Sequence, residues 1–238
     1  MFDELPRDEA LEIVDRAIAE LLAAAGVTEP PVDAIRLAQG HLGMVICLDR
    51  QQPQRGRAQR AGGKPHIFLR PEPTEERHQW TVAHEIGEHL KSDLLGRLGV
   101  PPEATHPWAG ESLANLFAHR LLVPTTWLAN AARACGFDLI QLKRGFRTAS
   151  HEVIAWRLLD LPEPCAITII DNDRITRRRS NAWRLGRQLL PAERDCQQRV
   201  RLTGAAETVR RDGWTVQGWP IHQATWQREI LRSVRDEE

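Results

Sequence analysis

Apolar residues recur every three or four positions in several stretches of the chain, and short apolar runs lie between these stretches. The recurrence predicts helices over residues 7–25, 32–41, 74–92, 111–124, 127–135, 139–145 and 150–161. Two short apolar runs, 44–48 and 65–70, predict strands. The polar stretch 49–64 has no apolar period and predicts a loop or a wide hairpin connection, and the Gly- and Pro-rich stretch 99–110 predicts a second loop.

The pattern changes after Pro164. Apolar residues at 165–171, followed by a turn at 172–173 and an arginine-rich stretch, predict a β-hairpin, and residues 212–213 predict the turn of a second hairpin. Residues 223–234 show helical spacing and predict a closing helix. The predicted fold class is α+β: a small antiparallel or mixed sheet packed on helices, then a helical unit and a small β-rich C-terminal region.

This pattern predicts two domains. The first covers residues 1–162 and includes a helix-turn-helix-like unit at about 138–160. The second covers residues 163–238, is rich in β-hairpins and ends in the closing helix. We favour a packing role for the helical unit over direct DNA binding, because small helical packing units are common.

The composition narrows the class of protein. Lys plus Arg and Asp plus Glu number 32 each, so no overall field indicates a nucleic-acid or membrane partner, although residues 173–238 hold 14 basic and 9 acidic side chains. The four cysteines are widely spaced without a CxxC pair, which is typical of a reducing cytosol. No apolar run approaches 18 residues and the first residues are acidic, so we expect a cytoplasmic protein.

The predicted helix at 74–92 carries the candidate chemistry. His84 and position 88 are one helical turn apart, and Glu85 lies beside them on the same flank. This is the frame of the HExxH zinc helix, in which residues i and i+4 bind the metal and the carboxylate at i+1 acts on the metal-bound water. Glu88 occupies the position of the second histidine, and a carboxylate can also bind zinc.

His89 is the histidine nearest to the expected second ligand. On an ideal helix it points about 140° away from His84, whereas Glu88 points about 40° away. Glu88 is therefore better placed as the ligand, and His89 would reach the same ion only through a π-bulge in the helix. A charged helix face that binds no metal is the alternative interpretation of the same residues.

A zinc hydrolase needs three protein ligands, an open position and a base. The best third ligand is Glu111, at the start of a second predicted helix that can pack against the first. Asn115 follows one turn later and can orient the Glu111 carboxylate; the alternative for Asn115 is a polar residue at the edge of the core.

Two segments, WTVAHEIGEH at 80–89 and ESLANLFAHRLLVP at 111–124, resemble those of the ImmA/IrrE family of bacterial metallopeptidases. The second segment matches the family pattern E-x-x-A-N-x-F-A-x-x-L-L-x-P at every fixed position: Glu111, Ala114, Asn115, Phe117, Ala118, Leu121, Leu122 and Pro124. The resemblance covers roughly residues 7–160 and implies a zincin-like domain. It further implies metal ligands at His84, position 88 and Glu111, with Glu85 as the general base.

The departure from the family pattern is Glu88. Two carboxylates and one imidazole neutralise a divalent ion, and a less positive ion lowers the pKa of its bound water less. We therefore expect zinc with manganese or iron as alternatives, and an activity that is weak or lost relative to a site with two histidines.

The resemblance also implies a function. Family relatives cleave DNA-binding repressors during stress or mobile-element induction, so a helix-turn-helix repressor is the expected protein substrate. The alternative is a non-catalytic regulatory protein that retains the zincin scaffold. The chain has no tyrosine to donate to an oxyanion, which leaves His89, His106 or His119 as candidate donors.

Overall fold

The computed structural model describes residues 7–100, 107–222 and 226–236. The chain forms two compact units, of which the first is Met1–Trp127 with Gly145–Ser150 and the second is Leu128–Arg144 with His151–Glu238. This division differs from the boundary at residue 162 that the sequence predicts. Within the described ranges, the chain has eight α-helices and two sheets, which confirms the α+β class. No helix in these ranges combines the length and the apolar character needed to cross a bilayer.

The first unit consists of helices packed on a three-stranded sheet. Its elements are α1 (Arg7–Ala24), α2 (Ala34–Gly40), β1 (Val45–Leu48), β2 (Gly56–Ala61), β3 (Lys64–Leu69), α3 (Glu75–Arg97) and α4 (Pro107–Leu122). All of them except β2 lie where the apolar spacing predicts an element of that type. α3 extends five residues beyond its predicted end, and α4 begins inside the predicted loop 99–110, of which residues 101–106 lie outside the described ranges.

The strand β2 lies within the stretch for which the sequence predicts a loop or a wide hairpin connection. It pairs antiparallel with β3, while β1 pairs with β3 in parallel, so β2 is an edge strand. Its side chains are almost all exposed, and for this reason no apolar alternation marks it in the sequence. β2 packs beside α3, and this places a strand edge next to the helix that carries the candidate site.

Helices α3 and α4 approach each other closely because Gly87 has no side chain. A Cβ at Gly87 would lie 3.1 Å from the Cα of Ala114 and 3.2 Å from the Cβ of Phe117. Ile86 and Phe117 are fully buried in the same interface and supply its apolar contacts. The middle of α4 therefore lies against the middle of α3.

A buried glutamine joins the N-terminal part of α3 to α2. The Gln79 Oε1 accepts from the amide of Ala34 at 2.7 Å, and its Nε2 donates to Asp33 at 3.0 Å. Asp33 also caps α2 by accepting from the amide of Arg36. Because Gln79 is buried, its loss would leave polar groups unsatisfied, so these bonds fix the start of the site helix.

The second unit is built on a five-stranded antiparallel sheet. It contains most of α5 (Thr125–Ala134) and α6 (Leu139–Gly145), and the elements α7 (His151–Arg157), β4 (Ala166–Asp171), β5 (Arg174–Ser180), α8 (Pro191–Thr203), β6 (Glu207–Arg211), β7 (Trp214–Pro220) and β8 (Arg228–Arg235). The strand order is β5-β4-β8-β7-β6. Both predicted hairpins are confirmed, and their turns at Asn172–Asp173 and Asp212–Gly213 have positive φ.

The predicted closing helix is wrong. In the described part of that stretch, Arg228–Arg235 forms β8, which lies between β4 and β7 and pairs with both. Both faces of a central strand are covered, and residues 229–233 are consecutively buried as a result. Such a strand loses its period of two, so its apolar residues also fit helical spacing.

The helix α8, which the sequence analysis does not predict, covers one face of this sheet. Its apolar residues Ala192, Cys196 and Val200 recur every four positions and pack with Val216 and Leu231. The spacing is that of a helix face, and Pro191 and Gly204 bracket it as start and stop signals. Burial raises the pKa of the Cys196 thiol to about 12, so this cysteine is a packing residue.

Candidate metal centre

Three potential metal ligands from two helices meet in the first unit. His84 and Glu88 lie one turn apart on α3, and Glu111 lies in the second turn of α4. One ligand atom from each residue lies within 4.8 Å of the others. The Nε2 of His84 is 3.7 Å from the Oε2 of Glu111. Residues separated by 27 positions in sequence thus form one cluster because α3 and α4 pack through Gly87.

The regular geometry of α3 determines which of positions 88 and 89 faces the cluster. The helix is α-helical throughout Glu75–Arg97 and contains no π-bulge. Glu88 is half-buried beside His84, whereas His89 is exposed and is not part of the cluster. The side chain of Lys91 donates to the Oε2 of Glu88 at 3.3 Å and is the cationic partner of that carboxylate here.

Asn115 holds two of the three potential ligands in register. Its Nδ2 donates to the Oε1 of Glu111 at 3.4 Å, and its Oδ1 lies 3.2 Å from the Nδ1 of His84. A carboxylate can only accept a hydrogen bond, so the Nδ2 of Asn115 faces Glu111 and its Oδ1 faces His84. The amide oxygen also only accepts, so the Nδ1 of His84 must carry the proton. In neutral His84, the lone pair is then on Nε2, the nitrogen that faces Glu111 and that a metal ion would use.

The imidazole of His84 is also held by an aromatic neighbour. Trp80, one turn earlier on α3, stacks on it with ring centroids 5.4 Å apart and planes inclined by 23°. The same indole lies 6.2 Å from the ring of His119 in a tilted arrangement. His119 is half-buried, and His106 lies outside the described residues. The stacking restricts rotation of the His84 ring about its side-chain bonds.

Glu85 is buried beside the cluster and faces β2. Its side chain is covered by Gly56, where a Cβ would lie only 2.7 Å from the Oε1 of Glu85. The backbone of Ala58 hydrogen-bonds to the Glu85 carboxylate. Burial, and secondarily the nearby charges of Glu88 and Glu111, raise the pKa of Glu85 above its ordinary value, although His84 and Ala58 act against this. A carboxylate with a raised pKa is suited to accept and return a proton.

The donor set fits a divalent ion. Zinc binds imidazole and carboxylate donors at about 2.0–2.2 Å, so the ligand atoms of a tetrahedral site are roughly 3.4 Å apart. The separation of 3.7 Å between the Nε2 of His84 and the Oε2 of Glu111 is close to this value, and the ligand atoms of the three residues all lie within 4.8 Å of one another. With three protein ligands, a fourth position would remain open for water or substrate.

Sequence reasoning did not identify several residues that shape this centre. Gly56 and Ala58 lie on β2, whose polar sequence gives no sign of a strand or of contact with Glu85. Trp80 is assigned by its spacing to the helix face that packs in the core, although it stacks on His84. Lys91 offers a usable signal, because it follows Glu88 by three residues, which is the spacing of a helical ion pair.

Comparisons with known proteins identify the family and the fold. The family model Peptidase_M78, described as the IrrE N-terminal-like domain, matches residues 39–158, just over half of the chain. A solved structure described as a Mycobacterium tuberculosis transcriptional regulator is similar in fold, with a TM-score of 0.64 and 16% sequence identity. The similarity covers 95% of this chain and 80% of that one. No curated protein matches the chain.

Proposed function

Because the chain belongs to the Peptidase_M78 family of IrrE N-terminal-like domains, we propose that it is a metal-dependent endopeptidase. In this proposal, His84, Glu88 and Glu111 bind the ion and Glu85 is the general base. The observation that carries the proposal is the meeting of the three donor groups within 4.8 Å, with a buried carboxylate beside them. Asn115 supports it further by favouring the His84 tautomer that a metal ligand requires.

The side chains around the cluster have separate roles in peptide hydrolysis. A bound divalent ion would polarise the scissile carbonyl and lower the pKa of water. Glu85 takes the proton of the attacking water and transfers it to the amine that leaves. Glu85 is buried next to His84 on the same helix, so its carboxylate lies beside the proposed ion.

The edge strand β2 offers a way to position an extended peptide. One side of β2 is paired with β3. The backbone of Ala58 hydrogen-bonds to Glu85 on α3, so the unpaired edge of β2 faces this helix. Extended peptides add to such edges through main-chain hydrogen bonds. Gly56 allows β2 to approach α3 closely, because a Cβ at this position would lie 2.4 Å from the Cγ2 of Thr81 and 2.7 Å from the Oε1 of Glu85.

The nature of the ion follows from the donor set. Zinc suits one imidazole and two carboxylates, and we propose it as the resident metal. Manganese and iron are the alternatives, because a second carboxylate in place of an imidazole gives the site more oxygen ligands, which hard metal ions prefer. Glu88 also makes the site less positive than one with two histidines, so we expect modest turnover.

The proposed substrate is a protein partner, specifically a helix-turn-helix repressor. This rests on the family resemblance, and the similarity to a chain named as a transcriptional regulator agrees with a role in regulation. The second candidate function is a non-catalytic regulator that keeps the zincin scaffold. The ion pair of Glu88 with Lys91 favours this alternative, since it satisfies the carboxylate without a metal.

Three variants of the full chain test the proposal. Metal content after purification is measured by mass spectrometry, and cleavage is measured on a complex peptide mixture with new termini identified by sequencing. We expect Glu85→Gln to keep the metal and lose turnover by a factor of about 10² or more. Glu111→Ala should lose the metal, and Glu75→Ala, an exposed glutamate in the first turn of α3, should change neither property.

Two outcomes would reject the endopeptidase. One is a metal content that is equally low in the parent chain and in Glu111→Ala, which would leave the regulatory alternative. The other is undiminished cleavage by Glu85→Gln, which would remove the proposed base.

A further inference from the structure

The edge strand β2 carries a concentration of positive charge. Residues 50–71, which include this strand, hold six basic side chains and no acidic one. Residues 1–172 as a whole hold 18 basic and 23 acidic side chains, so the basic stretch does not follow the composition of the chain around it. The proposed function uses the backbone of β2 to position a peptide and gives this charge no role.

Two arginines of β2 are available to a negatively charged partner. Arg57 and Arg60 are exposed, and neither has an acidic partner among the residues that the structure describes. Arg55, just before the strand, is in contrast paired with the buried Glu72 at 3.7 Å. The guanidinium of Arg57 packs over the ring of Phe68, 5.2 Å from its centroid, and this contact restricts the position of its charge.

These two arginines lie on opposite faces of β2 and are three residues apart. Side chains alternate between the faces of a strand, so Arg60 shares its face with Gly56, the position that approaches Glu85, whereas Arg57 lies on the other face. The side chains of a strand added along the free edge of β2 alternate in the same way. Such a strand therefore has neighbours of Arg57 on one face and of Arg60 on the other.

Positive charge on an edge strand affects which strands can pair with it. Charged side chains on a free edge disfavour pairing with arbitrary strands and protect proteins from aggregation. The same charges favour an acidic strand, because opposite charges directly across a strand pair attract and like charges repel. Rejection of basic segments and attraction of acidic ones therefore have the same source, which is how specificity commonly arises.

We propose that β2 selects extended protein segments that carry two acidic side chains three residues apart. This rests on the proposed function, in which a substrate peptide adds to the free edge of β2. One acidic side chain lies across from Arg57 and the other across from Arg60, while the main chain of the segment pairs with β2. We favour a peptide over a nucleic acid strand, because only a peptide main chain can extend a sheet.

The test measures the binding of fluorescein-labelled nonapeptides by fluorescence anisotropy. The protein is the full chain with Glu85→Gln and added zinc, so that bound peptides are not cleaved. The peptides consist of threonine and valine with two glutamates, two glutamines or two lysines at positions i and i+3. We expect the glutamate peptide to bind about fivefold or more tightly than the glutamine peptide, and the lysine peptide to bind most weakly.

Variants of the two arginines test the source of this preference. Arg57→Gln and Arg60→Gln should each weaken binding of the glutamate peptide about two- to fivefold. Arg210→Gln is the matched control and should change nothing, because Arg210 is an exposed arginine on β6, an edge strand of the other sheet. The double variant Arg57→Glu with Arg60→Glu should prefer the lysine peptide.

Equal affinities for the three peptides would overturn the proposal. An equal loss in Arg210→Gln would also overturn it, because the effect would then be one of overall charge. Glutamate peptides that are N-methylated at all odd or at all even residues test the main-chain pairing, since one of the two should lose binding. If both bind as the parent peptide does, or if a single-stranded oligonucleotide of equal charge binds more tightly, β2 does not select acidic strands.

These binding results are separable from the test of the endopeptidase. Cleavage by the parent chain without a preference for the glutamate peptide rejects the selection by β2 and leaves the endopeptidase standing. A preference in binding by a chain that cleaves no peptide rejects the endopeptidase and leaves β2 as a docking edge for acidic segments.

Discussion

Asn115 orients two of the three proposed metal ligands. Its single amide contacts both His84 and Glu111, and the direction of each hydrogen bond sets the direction of the other. The imidazole and the carboxylate are therefore oriented for the proposed ion by a protein side chain. The conformational cost of organising the ligands is met by folding, which is the usual role of residues that surround a metal site.

Replacing Asn115 should therefore weaken metal binding without removing a ligand. We expect Asn115→Ala to lower the affinity for zinc by a factor of about 10–100, since losses of residues that orient ligands fall in this range. Competition with a chromophoric chelator measures the affinity. Asn130→Ala, at an exposed position on α5, is the control. An unchanged affinity in Asn115→Ala would show that Asn115 only fills space at the helix interface.

At the same scale, much of the candidate site could be predicted from the sequence. His84, Glu85 and Glu88 are close in the chain, so helix geometry alone places them on neighbouring faces. Glu111 comes from another helix, and it is indicated by its place at the start of that predicted helix and by the ESLANLFAHRLLVP pattern. Gly56 and Ala58 could not be predicted, because their role depends on a strand edge that forms through pairing with β3.

The contact between α3 and α4 is the element on which the centre depends. Glu111 reaches His84 only because Gly87 brings the two helices together, and most of the tight contacts at Gly87 are to the backbone of Ala114. Backbone atoms cannot rotate away as the end of a side chain can. A small change at Gly87 would therefore move α4 and, with it, one of the three proposed ligands.

Two glycines in the same helix allow a matched comparison. We expect Gly87→Ala to destabilise the protein by about 1–3 kcal/mol through overpacking and to weaken metal binding as well. A Cβ at Gly96 meets no atom within 4 Å, so Gly96→Ala should be neutral or stabilising by up to about 1 kcal/mol through helix propensity. Urea denaturation of the metal-free chains measures both. Equal stabilities for the two variants would contradict the close packing.

The strands were harder to predict from the sequence than the helices, for two different physical reasons. β8 is central and buried on both faces, so nothing in its pattern separates it from a helix. β2 is exposed and polar, so only its pairing partner defines it. α8 could have been predicted, since Ala192, Cys196 and Val200 follow helical spacing and Pro191 and Gly204 mark its ends.

For the whole molecule, the balance of 32 basic and 32 acidic residues conceals a local excess. The six arginines at 174–187 lie on β5 and on the segment that follows it, with no acidic residue among them. Folding supplies acidic partners from other elements, because Arg177 pairs with Glu152 and Arg178 pairs with Glu193. The net charge of the whole chain is therefore a poor guide to its local charge.

Metal binding should be visible as a change in local stability across the chain. An ion at 100 times its dissociation constant stabilises the folded state by about 2.7 kcal/mol. We expect hydrogen exchange in the middle of α3 and in the first turns of α4 to slow when zinc is added and to recover with a chelator. Peptides from β7 and β8 serve as internal references. Slowing of equal size in those strands would indicate a general effect in place of a site on α3 and α4.

The stacking of Trp80 on His84 also allows the proposed centre to be monitored by tryptophan fluorescence. An indole stacked on an imidazole, with ring centroids 5.4 Å apart, is expected to change its emission when that ring binds a metal, and paramagnetic ions such as cobalt should quench it. The difference between the spectra of the parent chain and of Trp80→Phe isolates this fluorophore from the other seven tryptophans. Trp80 thus offers an internal optical reporter of ion binding at the proposed centre, one that needs neither a label nor a substrate.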